Sequence, residues 1–234
     1  MKYKMIWLYL PIISIFTGMA NGSVVMTGTR VIFPSSVMEK TIQLKNPDPQ
    51  PYVVQLQMTD ENGKADKNSV FSPVPPVFRM EPNTGQSVRL IFTGRGLPED
   101  KESVFYLDFT QLPSLKKSQQ EQNRLIIAIR NRVKVFYRPT SLEGTQSDAY
   151  RALSFSLENG KLNVDNPTGF YIPIREASLF INGQNITLAD SVMLPPKTKT
   201  LWPLSKKITT LSGSRLHMIF VNDYGVDVKR ERVL

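Results

Sequence analysis

NRLIIAIRNRVKVFYRP, residues 123–139, is the stretch from which the rest of the chain is read. Apolar and β-branched residues alternate through it, with no glycine and no proline until its end, so it reads as a β-strand. Its odd positions are Leu125, Ile127, Ile129, Asn131, Val133, Val135 and Tyr137, and its even positions are Ile126, Ala128, Arg130, Arg132, Lys134 and Phe136. Successive side chains of a strand point to opposite faces. The first half is therefore apolar on both faces, the second half mainly on one. A strand in a two-layer sandwich has one core to serve. Its doubly apolar half needs a second apolar partner, from this chain or from another protein.

Around this stretch the chain reads as strands almost throughout. Before it lie Ser23–Phe33, Glu39–Asn46, Tyr52–Thr59, Val77–Met80, Ser87–Phe92 and Ser103–Gln111, with the stretch itself counted as Arg124–Tyr137. Turn-rich segments separate them, among them NPDP at 46–49, DENG at 60–63, SPVPP at 72–76 and EPNTG at 81–85. Short alternating strands with regular turn signals predict an antiparallel sandwich. Residues 139–148, PTSLEGTQSD, read as a connector. Strands resume at Leu153–Leu157, Lys161–Asp165, Tyr171–Ile181, Gln184–Leu188, Ser191–Leu194, Thr198–Leu204 and Arg215–Asn222, with a tail at Val226–Val233. No helical periodicity of useful length is found. The expectation is all-β, two sandwiches in tandem, over residues 23–140 and 141–234.

Residues 1–22 have the layout of a secretory signal: Lys2 and Lys4, an apolar run from Met5 to Phe16, then small residues with cleavage after Ala20 or Gly22. The rival reading is a membrane anchor, but the run is shorter than the roughly 20 residues of a span and Pro11 interrupts it. An exported protein without stable membrane insertion is expected. Cysteine is absent, so stability must come from core burial, and thiolate chemistry is excluded. The net charge of +9 is spread in short clusters without a basic–aromatic motif, which argues against a nucleic-acid partner.

Enzyme chemistry finds little footing. His217 is the only histidine, and it stands in an apolar strand context, so a packed or edge histidine is the reading over a metal ligand or catalytic base. No Gly-x-Ser-x-Gly elbow and no phosphate-binding glycine loop occur. Asp60, Glu61 and Asp66 lack calcium-loop spacing and read as a solvated turn. Asn185-Ile-Thr fits a short glycosylation pattern that arises often by chance. No catalytic residue, metal or cofactor is assigned. Two sets of charges stand out among apolar neighbours. Arg30 and Lys134 read either as ordinary solvent-facing residues or as the lining of an anion-binding cleft. Glu102, Arg138 and Asp223 read either as surface positions or as a buried network, tolerable only if each charge is paired.

Six segments in order carry a family resemblance: GTRVIFP at 28–34, PPVFRMEP at 75–82, ESVFYLDF at 102–109, KVFYRP at 134–139, NPT at 166–168 and NDYG at 222–225. Together they resemble the PapD-like periplasmic pilus chaperones over essentially the whole mature chain. The short loop from Ser114 to Gln122 fits the short-loop subfamily. The resemblance implies two immunoglobulin-like domains in an L shape, located in the periplasm. It further implies that the chain caps pilus or fimbrial subunits by lending them a strand and delivers them to an outer-membrane usher. In this reading Leu125, Ile127 and Ile129 are the donor face, and Ile126 and Ala128 face the chaperone's own sandwich. Burying three such side chains against a client contributes on the order of 5–8 kcal/mol before ordering costs. Arg30 and Lys134 match the pair that grips the subunit's terminal carboxylate. Lys134 has the parity opposite to the donor face, so a bulge or strong twist after Ile129 is expected. Glu102, Arg138 and Asp223 match the interdomain salt-bridge set. The exposed strand also leaves open a self-capping dimer of the free protein. Unlike some members, this chain has no disulfide in its second domain. The runner-up reading is a secreted two-domain adhesin or pilus subunit, for which a strong donor strand in mid-chain is out of place.

Overall fold

The computed structural model describes residues 23–114, 125–206 and 208–234. The expected signal and most of the loop before residue 123 lie outside them. The fold is all-β with one short helix, as two sandwiches each built from two sheets.

In the first sandwich, β1 (Val25–Met26), β3 (Glu39–Asn46), β7 (Thr84–Phe92) and β5 (Phe71–Val74) form one sheet in the order β1-β3-β7-β5. The other contains β2 (Arg30–Pro34), β9 (Ile129–Arg138), β8 (Ser103–Pro113), β4 (Tyr52–Thr59) and β6 (Val77–Met80), in the order β2-β9-β8-β4-β6. Period-two alternation dictates what goes inside. In β3, Ile42, Leu44 and Asn46 are buried while the residues between them face water. Phe33, Phe71, Phe92, Phe105 and Tyr137 form an aromatic cluster at one end of this core, with Phe33 and Phe71 edge-on at 4.9 Å.

Several expectations need correction. Ser23–Phe33 is not one strand: β1 pairs with β3 in one sheet, whereas β2 pairs with β9 in the other. The chain crosses between sheets at Gly28, whose φ of +88° is open to glycine and strained for other residues. SPVPP is not all turn, because β5 runs through Pro73. Proline is tolerated there since β5 is an edge strand with a partner on one side only. The connector after Pro139 holds a helix, α1 (Gln146–Ala152). Its start is fixed by Thr145, whose hydroxyl and backbone exchange hydrogen bonds with Asp148 in a capping box.

The second sandwich has sheets β10-β11-β14 (Ser154–Glu158, Lys161–Asn166, Thr198–Pro203) and β13-β12-β15-β16 (Gln184–Leu194, Ile172–Ile181, Arg215–Val221, Asp227–Val233). The two short strands expected between residues 184 and 194 are one strand, β13. Its core is closed by Tyr150 of α1, stacked on Phe220 at 4.2 Å. One corner device recurs in both domains. Asn46 donates its amide to the carbonyls of Gln50 and Glu81 and accepts the Asp48 N–H. Asn166 does the same with Phe170, Pro195 and Thr168. Each asparagine is buried, so its full set of partners is what makes the burial tolerable.

Candidate functional site

β9 pairs with β8 from Ile129, opposite Gln111, to Tyr137, opposite Ser103, without a break in register. On its other side β2 runs parallel to it and covers it only from Lys134, opposite Arg30, to Arg138, opposite Pro34. Among the described residues, Ile129–Val133 therefore presents an unpaired edge. Upstream, Leu125 to Ala128 carry no strand pairing. Leu125 is 88% exposed, Ile127 61%, Ile126 51% and Ile129 40%. These four, with Gln50, Tyr52, Gln111 and Pro113, line an open depression of about 360 Å³.

The parity of β9 differs from expectation in two ways. Odd positions Val133 and Val135 are buried in the first sandwich's own core. Ile129 continues that inward row past the point where the core ends. Ile126 and Ala128 do not face the sandwich; both are exposed. The even row Arg130, Arg132, Lys134 and Phe136 lies on the outer face, and Phe136 packs on Tyr171 of the second domain with ring centres 5.9 Å apart. The outer face at this end is thus the face turned to the second domain. Lys134 reaches it by ordinary alternation, and the expected bulge is not needed.

Register places Arg30 and Lys134 side by side. Arg30 sends Nη1 to the carbonyl of Val221 at 3.2 Å, while its Nε is buried without a partner. No carboxylate forms an ion pair with either cation among the described residues. Burial lowers the Arg30 pKa, opposed in part by Asp223. Burial, then the Arg30 charge, lowers that of Lys134. Two half-buried cations side by side, neither in an ion pair among the described residues, form a site suited to an anion.

Four residues away, the cation is fully paired. Arg138 Nε donates to Glu102 at 2.6 Å, and its Nη1 and Nη2 make a fork onto Asp223 at 2.7 and 2.8 Å. The second oxygen of Glu102 accepts the Tyr171 N–H at 2.7 Å. Desolvation works against Arg138, but the two carboxylates hold its pKa above the ordinary guanidinium value. Burial pushes the Glu102 carboxyl up against the pull of Arg138 and that N–H. Glu102 and Arg138 belong to the first domain, Asp223 and Tyr171 to the second, so the network spans the junction.

Sequence reasoning missed Asp108. It is buried and paired with both Arg130 and Arg132, which also donate to the carbonyls of Gly63 and Glu61. The signal was available: a lone Asp in the strand FYLDFT needs a cation on the same face, and Arg130 and Arg132 share a parity. His217 lies half exposed beside Glu231, 3.5 Å away, rather than packed. Among the described residues no cluster of three or more acidic or histidine side chains is arranged to hold a metal.

The family model for the N-terminal domain of PapD, a pili and flagellar-assembly chaperone, matches residues 23–143. The model for the C-terminal domain of the pili assembly chaperone PapD matches residues 148–232. The chain is 33% identical to chaperone protein MrkB of Klebsiella pneumoniae, covering 96% of this chain and 97% of that one. The crystal structure of the YadV chaperone superposes with a TM-score of 0.77 at 28% identity, over 91% of this chain and 100% of that one. The SafB chaperone of Salmonella enterica, solved with the SafA pilin, gives 0.74 at 25% identity, over 91% and 96%.

Proposed function

The chain belongs to the family of PapD-like pilus-assembly chaperones, and we propose that it captures its pilus subunit by strand addition to the free edge of β9, with Arg30 and Lys134 gripping the subunit's terminal carboxylate. It is a chaperone of pilus subunits and not an enzyme.

One observation carries the mode of capture. β2 is parallel to β9 and begins at Arg30, opposite Lys134, leaving Ile129–Val133 open. A client strand that prolongs the line of β2 in the same direction fills the open edge and ends against Arg30. Its carboxylate then arrives beside two cations that have none. An antiparallel strand would bring an amino end to the same place, which the cations disfavour. Main-chain hydrogen bonds along the edge supply sequence-tolerant affinity, and alternate side chains fill pockets. Leu125, Ile127 and Ile129 supply apolar area next to that edge, with Ile126 beside them in the same depression.

Glu102, Arg138 and Asp223 hold the two domains so that the second-domain wall stands over the cations. The protein works in the periplasm, reached by the signal in residues 1–22, and passes its client to an outer-membrane usher. Without a client, the exposed apolar row gives two copies a reason to cap each other. Co-expression with pilin-like subunits, followed by isolation of a stoichiometric complex, tests the reading. Arg30→Ala should lower recovery of the complex without unfolding the chaperone. Undiminished recovery would show that the carboxylate is not the anchor.

A further inference from the structure

The turn that carries Asp223 also touches Arg30. It joins β15 to β16 and is fixed from within. Gly225 N–H donates to the Asn222 carbonyl at 2.9 Å, and the Asn222 side-chain oxygen accepts the N–H groups of Tyr224 and Val226 at 3.0 and 2.9 Å. Three contacts then tie it to the first domain. Asp223 takes the Arg138 fork. The Val221 carbonyl takes Arg30 Nη1 at 3.2 Å. Gly225, with φ at +80°, approaches Thr29 so closely that a Cβ would overlap the Thr29 hydroxyl oxygen.

Turning that hydroxyl aside removes the worst overlap but not all of it. Rotation about χ1 carries the methyl with the hydroxyl, and the 3.3 Å approach of a Gly225 Cβ to the Thr29 Cβ, which that rotation does not change, stays tighter than ordinary contact. The remaining relief, a shift of a few tenths of an ångström, falls to the backbone of Thr29 or to the turn. Thr29 is bonded to Arg30, and the turn holds the Arg30 guanidinium, so either movement displaces the cation. One Nη group of Arg30 is thus committed to the second domain while its buried Nε has no partner.

We infer that the Val221–Gly225 turn is a positioning element of the carboxylate site, setting the pose of Arg30 through the Val221 carbonyl and the side-chain-free approach of Gly225 to Thr29. The inference rests on the reading of Arg30 as an anchor. It assigns the second domain a part in client recognition: the turn does not touch the carboxylate, but it aims the group that does.

The test uses an acetylated nonapeptide of alternating valine and serine, as free acid and as carboxamide, titrated into the full mature protein. The wild type should prefer the acid by roughly tenfold, the worth of about one charge-assisted hydrogen bond. Gly225→Ala should erase that preference while leaving carboxamide affinity nearly unchanged, with a thermal midpoint lowered by the positive φ as Gly28→Ala lowers it. Adding Thr29→Gly to Gly225→Ala should restore the preference by removing the overlap. In an Arg30→Ala background, Gly225→Ala should have no further effect on it. If Gly225→Ala fails to fold, Thr29→Ile crowds the same contact from the other side. Retention of the acid preference in Gly225→Ala, or an equal loss for acid and amide, overturns the inference and leaves the anchor standing. No acid preference in the wild type, including no binding of either peptide, overturns the anchor and the inference together.

Discussion

Lys134 and Arg138 are four positions apart on one strand and live under opposite electrostatics. Arg138 has two carboxylates and a good fork geometry; Lys134 has Arg30 for a neighbour. Removing each should therefore do opposite things to stability. Arg138→Ala leaves Glu102 buried beside an empty place and should cost about 3–5 kcal/mol in a denaturant melt. Lys134→Met removes a cation whose folded pKa lies below its unfolded one. A group of that kind weighs against folding most fully below the folded pKa, and its burden lifts as pH rises through the ordinary amine range. At neutral pH the Lys134→Met protein should melt no lower than wild type, yet capture its client roughly ten- to a hundredfold less well. A bound carboxylate should raise the Lys134 pKa, which a ¹³C titration of its Cε would register. The sequence made both charge sets legible as anomalies in apolar strands. It did not say which had partners, because pairing depends on Asp223 being folded back over a chain separation of 85 residues.

At the scale of elements, β9 was legible as a strand with more apolar surface than one core can use. Which row served which partner was not. The inward row is odd, Val133 and Val135, and its continuation at Ile129 runs off the end of the core. An edge assigned from composition has no origin for its parity until the sandwich is closed. Consequently Ile127→Asp should leave the melt unchanged and abolish capture, whereas Val135→Asp puts an unpaired charge into the core and should prevent folding. Ile126→Asp, in the same depression, should also weaken capture; the sequence reading gave that residue to the sandwich. The strand break at Gly28, the strand through Pro73 and the helix at Gln146–Ala152 escaped because each depends on local context that periodicity does not carry. In those places a sheet switch, an edge position and a Thr–Asp box decide the structure. Gly28→Ala should cost roughly 1 kcal/mol through its positive φ.

At the scale of the molecule, the two domains contribute unequally to one cleft. The first supplies the open edge and both cations; the second supplies Asp223, the Val221 carbonyl and the aromatic wall at Tyr171. The family resemblance carried the architecture, since six short segments spread over both domains are hard to match by chance. The contacts between domains were beyond it, being made by single residues such as Thr29 and Gly225 whose meeting no pattern encodes. The unfilled edge of β9 is the centre of the account, and amide hydrogen exchange on the chaperone, free and bound to its pilus subunit, tests it most directly. Exchange should slow from Leu125 to Val133 on binding, where a client strand supplies new partners, and change little from Lys134 to Arg138, where β2 already covers the strand. Unaltered exchange across Leu125–Val133 in a stable complex would contradict strand addition at this edge.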